Sequence, residues 1–138
     1  MGTSIQEVMT SNPRTCSADG TIVEAARLMK DEDVGIIPIV DGEKLIGTIT
    51  DRDIAVKLVA EGKDPQSTTV REIASTNLVT IDPQQNLDEA LRLMAKHQIR
   101  RLPVVEEDGK LIGIVAQADV ARHTSDERTG ELVEEISK

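Results

Sequence analysis

Apolar residues recur along this chain at two periods, and the alternation between those periods is written twice. Ile22, Ala25, Ala26 and Met29 fall at i, i+3, i+4 and i+7, as do Leu87, Ala90, Leu91 and Met94, so each set predicts a helix with one apolar face. Thr21 with Glu24, and Asn86 with Glu89, stand where an N-cap side chain and a carboxylate three residues on close a first helical turn. Short apolar runs follow, Ile36-Ile37-Pro38-Ile39-Val40 and Leu102-Pro103-Val104-Val105. The proline in each lacks a ladder N–H and is expected at a strand start or a sheet edge. Turns rich in Asp and Gly, Asp41-Gly42-Glu43-Lys44 and Glu106-Glu107-Asp108-Gly109-Lys110, lead into the runs Leu45 to Ile49 and Leu111 to Val115. Each copy therefore contains a hairpin. A further helix is expected to begin at Thr50 and near Ala116.

The copies lie about 65 residues apart, and the one extra residue of the second falls in its turn, where an insertion is tolerated best. A short helical segment is expected ahead of each, Ser4 to Met9 and Thr69 to Ala74. The pattern predicts an α/β (α+β) chain of two β-α-β-β-α units. A unit of roughly 55 residues is marginal alone, so the two should pack their sheets into one body. Repeat one is read as 1–62, a linker as 63–67 within the polar stretch Glu61 to Ser67, repeat two as 68–123, and a polar C-terminal tail as 124–138. Leu132, Val133 and Ile136 give the tail a thin apolar stripe, which suits a docked helix or a solvated end equally well.

Composition narrows the functional classes. The chain of 138 residues has no Phe, Tyr or Trp, so its core is aliphatic and any flat ligand would lie between aliphatic side chains. A formal charge of -9 argues against nucleic acid and anionic membrane as partners, since both need basic surface. RNA recognition would also want aromatic side chains for stacking. No apolar run approaches the roughly 18 residues that span a bilayer, and no charged-then-apolar leader opens the chain. The single cysteine, Cys16, cannot form an internal disulfide and reads as a small buried hydrophobe, which suits a reducing cytoplasm. His97 and His123 lack metal-ligand spacing to any Cys or carboxylate, so no metal is expected. The carboxylate runs Asp31-Glu32-Asp33 and Glu106-Glu107-Asp108 read as solvated turns. With no nucleophile elbow, Walker loop or His-Glu-x-x-His helix, no enzyme is expected either.

One stretch carries candidate chemistry. Gly47-Thr48-Ile49-Thr50-Asp51-Arg52-Asp53 runs from an apolar strand into a helix start that bears a hydroxyl and, three residues on, a carboxylate. Unpaired N–H groups at such a start favour phosphate, and the carboxylate can accept hydrogen bonds from sugar hydroxyls. Thr50-x-x-Asp53 is also an ordinary capping box, and the two roles are compatible.

The tandem copies, the Gly47-x-x-Thr50-x-x-Asp53 stretch and the stretch Ile99-Arg100-Arg101-Leu102-Pro103-Val104 together resemble a pair of CBS domains, or Bateman module. The resemblance runs from about Thr3 to His123, and the chain looks like a stand-alone bacterial-type CBS-pair protein, similar to the hypoxic-response group. It implies two domains packed by pseudo-twofold symmetry, with clefts between the repeats for adenosine-containing ligands. Carried onto this chain, Asp53 would take ribose hydroxyls and Thr50, Arg100 and Arg101 phosphate in one composite cleft, and Leu78 and Val79 would line the adenine pocket. The second cleft, with Asp119 and Ile36, has Ala116 in place of Thr50 and Gly35-Ile36 in place of Arg100-Arg101, and is expected to be weak. The implied function is a regulatory adenine-nucleotide sensor for AMP, ADP or ATP, with no cofactor, working as a homodimer on an unidentified regulated protein. The alternative is a dimerisation or partner-docking scaffold with vestigial clefts.

Overall fold

Helix starts leave N–H groups without partners, and where those groups go decides how this chain is assembled. The computed structural model describes residues 3–123. Its elements, in order, are α1 (Ile5–Val8), β1 (Thr10–Ser11), β2 (Cys16–Ser17), α2 (Ile22–Glu32), β3 (Ile36–Asp41), β4 (Lys44–Thr50) and α3 (Asp51–Asp53). The chain runs on from α3 as a π-helix over Ile54–Val59, then α4 (Val70–Ile73), α5 (Leu87–His97), β5 (Arg101–Val105), β6 (Leu111–Ala116) and a helical segment over 117–123, here α6. They form two compact units, one of residues 14–78 with 108–111, the other of residues 3–13, 79–107 and 112–123. The expected tail stripe at Leu132, Val133 and Ile136 lies outside the described residues.

In the first unit the N–H groups that open α4 find carbonyls in the loop before α2: Val70 donates to Gly20 at 2.8 Å and Arg71 to Ala18 at 3.2 Å. The sheet has the order β2-β3-β4, with β2 parallel and β4 antiparallel to β3, and Ser75 pairs onto the outer side of β4 at Thr48. Ile22, Ala25 and Met29 from α2 meet Ile37, Ile39 and Ile49 from the sheet in an aliphatic core, closed by Leu58, Val70 and Ile73. Ala26 faces outward instead of joining this stripe. The turn before β6 also belongs here, because Leu45 donates to Gly109 at 3.1 Å and Leu111 to Glu43 at 3.0 Å.

The second unit repeats the scheme. Ile5 and Gln6, opening α1, donate to Gln85 at 2.8 Å and Pro83 at 2.9 Å in the loop before α5. Its sheet has the order β1-β6-β5, and Ile81 adds a parallel bridge to Val104 on β5. Leu87, Ala90 and Met94 of α5 pack on Leu102, Val104 and Val115, with Ile5 and Val120 at the ends of the core. Each unit thus takes its lead helix from the other copy in the sequence.

Two local expectations need correction. The Asn86 side chain accepts from the Glu89 N–H at 2.9 Å, but the Glu89 carboxylate does not return to Asn86; it forms a forked pair with Arg92 at 2.6 and 2.9 Å. An arginine one turn on competes successfully for it. Pro38 is the third residue of β3, the central strand, rather than at a start or an edge. Pro103 shows why this is tolerated: its carbonyl accepts from Ile81 and the next inward-facing N–H, that of Val105, donates back to Ile81. The proline nitrogen therefore lies beyond the end of a very short neighbouring strand, where an N–H would gain no ladder bond.

Candidate functional site

In each unit the end of the second hairpin strand and the start of the next helix are held against the start of the first strand. In the first unit Ile36 is in register with Thr50, and the Asp51 N–H donates to the Gly35 carbonyl at 3.0 Å. In the second, the Gln117 N–H donates to the Arg100 carbonyl at 2.7 Å. The same backbone lip is built twice with different side chains.

The second unit's lip opens on a pocket of about 500 Å³, lined by Leu91, Arg100, Arg101, Ala116, Gln117, Ala118 and Ala121. That volume suits a small-molecule ligand, and its walls are largely aliphatic. Arg100 is exposed and Arg101, which opens β5, is half-buried; neither forms an ion pair with a described residue. The nearby helix carries Asp119, half-buried and paired with Arg122 at 3.2 Å. With a neutral Gln117 where the first unit has Asp51, this lip is cationic, and two guanidinium groups on an apolar pocket are suited to a phosphate.

The first unit's lip is built from Gly35, Ile36, Thr50 and Asp51, and it has no arginine at the positions of Arg100 and Arg101. Thr50 and Asp53 form a reciprocal capping box: the Asp53 N–H donates to Thr50 Oγ1 and the Thr50 N–H to Asp53 Oδ2, both at 3.0 Å. The other carboxylate oxygen, Oδ1, faces Lys57 Nζ at 3.2 Å, and Nζ also donates to the Ile73 carbonyl at 3.3 Å. Both roles weighed for this stretch remain chemically open, since the Thr50 hydroxyl still has its own proton to donate.

Of the four residues that the resemblance gathered at one phosphate and ribose site, Thr50 and Asp53 thus lie together in one unit, and Arg100 and Arg101 together in the other. Ile36 lies with the first pair, Asp119 with the second. Leu78 closes the long segment of the first unit and Val79 opens a segment of the second, where it packs against the core. Sequence reasoning missed the pocket walls Leu91, Gln117, Ala118 and Ala121, although Gln117 and Ala121 stand at helical i, i+4 spacing. It also missed Lys57, which the same spacing from Asp53 could have shown. Among the described residues no group of three or more His, Cys, Asp or Glu is placed to hold a metal ion, and no helix is long and apolar enough to cross a membrane.

Comparison with known proteins agrees with this repeated architecture. The sequence model of the CBS domain matches residues 5–60 and 70–126. The CBS domain-containing protein YhcV of Bacillus subtilis is 47% identical over 135 residues, which is 97% of this chain and 95% of that protein. Hypoxic response protein 1 of Mycobacterium tuberculosis is 36% identical over 97% of this chain and 94% of its own. The crystal structure of hypoxic response protein I with two coordinated zinc ions matches with a TM-score of 0.81 at 38% identity, covering 88% of this chain and 98% of that one. CBSX2 in complex with AMP matches with a TM-score of 0.79 at 26% identity, covering 92% and 99%. The chain belongs to the CBS domain family, as a tandem pair of CBS domains.

Proposed function

We propose that this CBS pair is a regulatory module that binds an adenine nucleotide, AMP, ADP or ATP, and catalyses no reaction on it. The observation that carries the reading is the pocket lined by Arg100 and Arg101, neither of which forms an ion pair with a described residue. Arg100 and Arg101 take the phosphate. Thr50 joins them on the phosphate and the Asp53 carboxylate accepts from ribose hydroxyls, while Asp119 and Ile36 belong to a weaker second cleft. Leu78 and Val79 offer aliphatic surface to the adenine, in a chain without an aromatic side chain to stack on it. Binding of AMP by the related CBSX2 supports the ligand class. A ligand that holds one arrangement of the module better than another shifts its population, and a regulated protein reads the shift.

The test is equilibrium dialysis of the full chain against AMP, ADP, ATP and NAD, read at 260 nm, where a protein without aromatic residues is nearly transparent. Arg100→Ala/Arg101→Ala is expected to weaken a phosphorylated ligand by roughly tenfold or more, from the loss of charge-assisted hydrogen bonds. Equal binding by the double variant, or no binding by the parent near 1 mM, where about 4 kcal/mol of affinity would still register, overturns the reading.

A second reading, a dimerisation or docking scaffold, is favoured by Val56 and Val59, which are 49% and 66% exposed on the helix that follows Thr50. A homodimer through that face predicts that Val59→Lys shifts sedimentation to the monomer without changing nucleotide binding. An unchanged sedimentation profile excludes this face as the interface.

A further inference from the structure

The pocket beside β5 and α6 has cationic and aliphatic walls, and the chain that leaves α6 carries the complementary groups. Arg100 and Arg101 stand with Leu91, Ala118 and Ala121 around a space of about 500 Å³, and neither guanidinium forms an ion pair with a described residue. Arg100, Ala118 and Ala121 are exposed. Residues 124–138, which continue from α6, carry five acidic side chains against two basic ones, and among them Glu131, Glu134 and Glu135 flank Leu132, Val133 and Ile136 in sequence. The seven residues 124–130 reach about 23 Å when extended, whereas α6 from His123 back to Gln117 covers only about 9 Å. The segment after Gly130 therefore has ample length to return to the pocket.

We propose that residues 131–136 of the same chain dock on this pocket, with carboxylates on Arg100 and Arg101 and aliphatic side chains against Leu91, Ala118 and Ala121, as an internal competitor of an anionic ligand. Two features select this occupant. Its charge is opposite to that of the arginine pair, and its tether keeps it at an effective concentration on the order of millimolar whatever the protein concentration. Exposed arginine–carboxylate pairs are weak and screened by salt, so the contact is displaceable. A phosphate group that takes bidentate hydrogen bonds from the guanidinium groups displaces the carboxylates. The competition rests on the adenine-nucleotide reading, whereas the docking does not.

The chain has no Phe, Tyr or Trp, so Ile136→Trp places its sole fluorophore on the segment. In the full chain the emission is expected to be blue-shifted, and quenching by acrylamide several-fold slower than in urea. Both should revert toward the urea values with Arg100→Ala/Arg101→Ala and with Glu131→Gln/Glu134→Gln/Glu135→Gln. They should not revert with Glu61→Gln/Glu106→Gln/Glu107→Gln, which removes the same charge from exposed positions elsewhere. Quenching as fast as in urea, or protection that survives both the arginine and the 131/134/135 variants, overturns the docking. Protection that rises with protein concentration assigns the segment to a second copy and overturns it as well. Equilibrium dialysis without the tryptophan gives the second measure: Glu131→Gln/Glu134→Gln/Glu135→Gln should bind AMP roughly three- to tenfold more tightly than the parent, because the covered fraction lowers the apparent affinity in proportion. Equal affinity overturns the competition. If neither chain binds AMP, the functional reading fails, and the competition with it, while the fluorescence still decides the docking.

Discussion

The Gln117 N–H donates to the Arg100 carbonyl at 2.7 Å, so the first residue of α6 is tied to the residue ahead of β5. The bond fixes the backbone from which Arg100 and Arg101 project, and neither guanidinium forms an ion pair with a described residue. Their unequal exposure predicts unequal effects. Arg101→Ala should cost more affinity for AMP than Arg100→Ala, because the half-buried guanidinium is screened less by water and salt. Raising the ionic strength from about 0.1 to about 1 M shortens the screening length from about 10 to about 3 Å, and should erase most of the Arg100 contribution first. Titration of both single variants at the two salt concentrations checks the order.

The capping box at Thr50 has a counterpart that can be built. Thr50→Ala leaves the Asp53 N–H without its acceptor and should cost about 1 kcal/mol, read from urea unfolding. In the second copy Ala116 precedes α6 and Asp119 stands three residues on, so Ala116→Thr supplies the missing hydroxyl. Its oxygen would accept from the Asp119 N–H whichever partner the Asp119 side chain keeps, and should stabilise the protein by about 0.5–1 kcal/mol.

The glycine of the Gly47-x-x-Thr50-x-x-Asp53 stretch is needed for packing. A Cβ at Gly47 would lie 2.9 Å from the Ser75 carbonyl oxygen, which belongs to the segment paired with Thr48. Backbone cannot give way as a side chain can. Gly47→Ala should destabilise by about 1–3 kcal/mol, whereas Gly35→Ala, whose Cβ would meet only the mobile end of Asp51 at 3.1 Å, should change the urea midpoint little.

Acid stability should depend on two exposed carboxylates that close helix starts. The Thr69 N–H donates to Glu72 at 2.7 Å and the Ser4 N–H to Glu7 at 2.6 Å. These backbone hydrogen bonds, with help from the Thr69 and Ser4 hydroxyls, hold both carboxyls below their ordinary value of 4.5. A pKa lowered by folding means that the unfolded chain binds protons more readily, so this contribution is present above about pH 4.5 and is lost as pH falls through the lowered values. Glu72→Gln and Glu7→Gln keep an acceptor without the titration, and should flatten the fall of the urea midpoint below pH 4.5.

Burial, with the charge of Glu24, pushes the Cys16 thiol upward, away from the reactive thiolate. Cys16 should therefore react with a disulfide reagent at neutral pH only at the rate of unfolding. A rate that is fast in native buffer and independent of denaturant would contradict the packed position.

What the sequence by itself determined is what depends on neighbours a few residues away. The stripe Ile22, Ala25 and Met29 is buried as its spacing requires, and Thr21 and Thr50 cap their helices because hydroxyl, N–H and carboxylate meet within one turn. The hairpins follow from two apolar runs and a Gly-bearing turn, and the repeat of the whole pattern identified the family. Tertiary structure decided what depends on distant partners. In sequence α1 and α4 each lead the repeat that follows them, but in the fold their opening N–H groups bond to carbonyls at 83 and 85, and at 18 and 20, so each helix completes the unit of the other copy. The same holds at the candidate sites: i, i+4 spacing could suggest that Lys57 meets Asp53, but only folding brings the Ile73 carbonyl to that ammonium. Only folding, too, walls Arg100 and Arg101 with Ala116, Gln117 and Leu91. Local hydrogen bonds and periodicity act along the chain and are legible there; pairing across tens of residues is settled by which unsatisfied groups and apolar faces find each other in three dimensions.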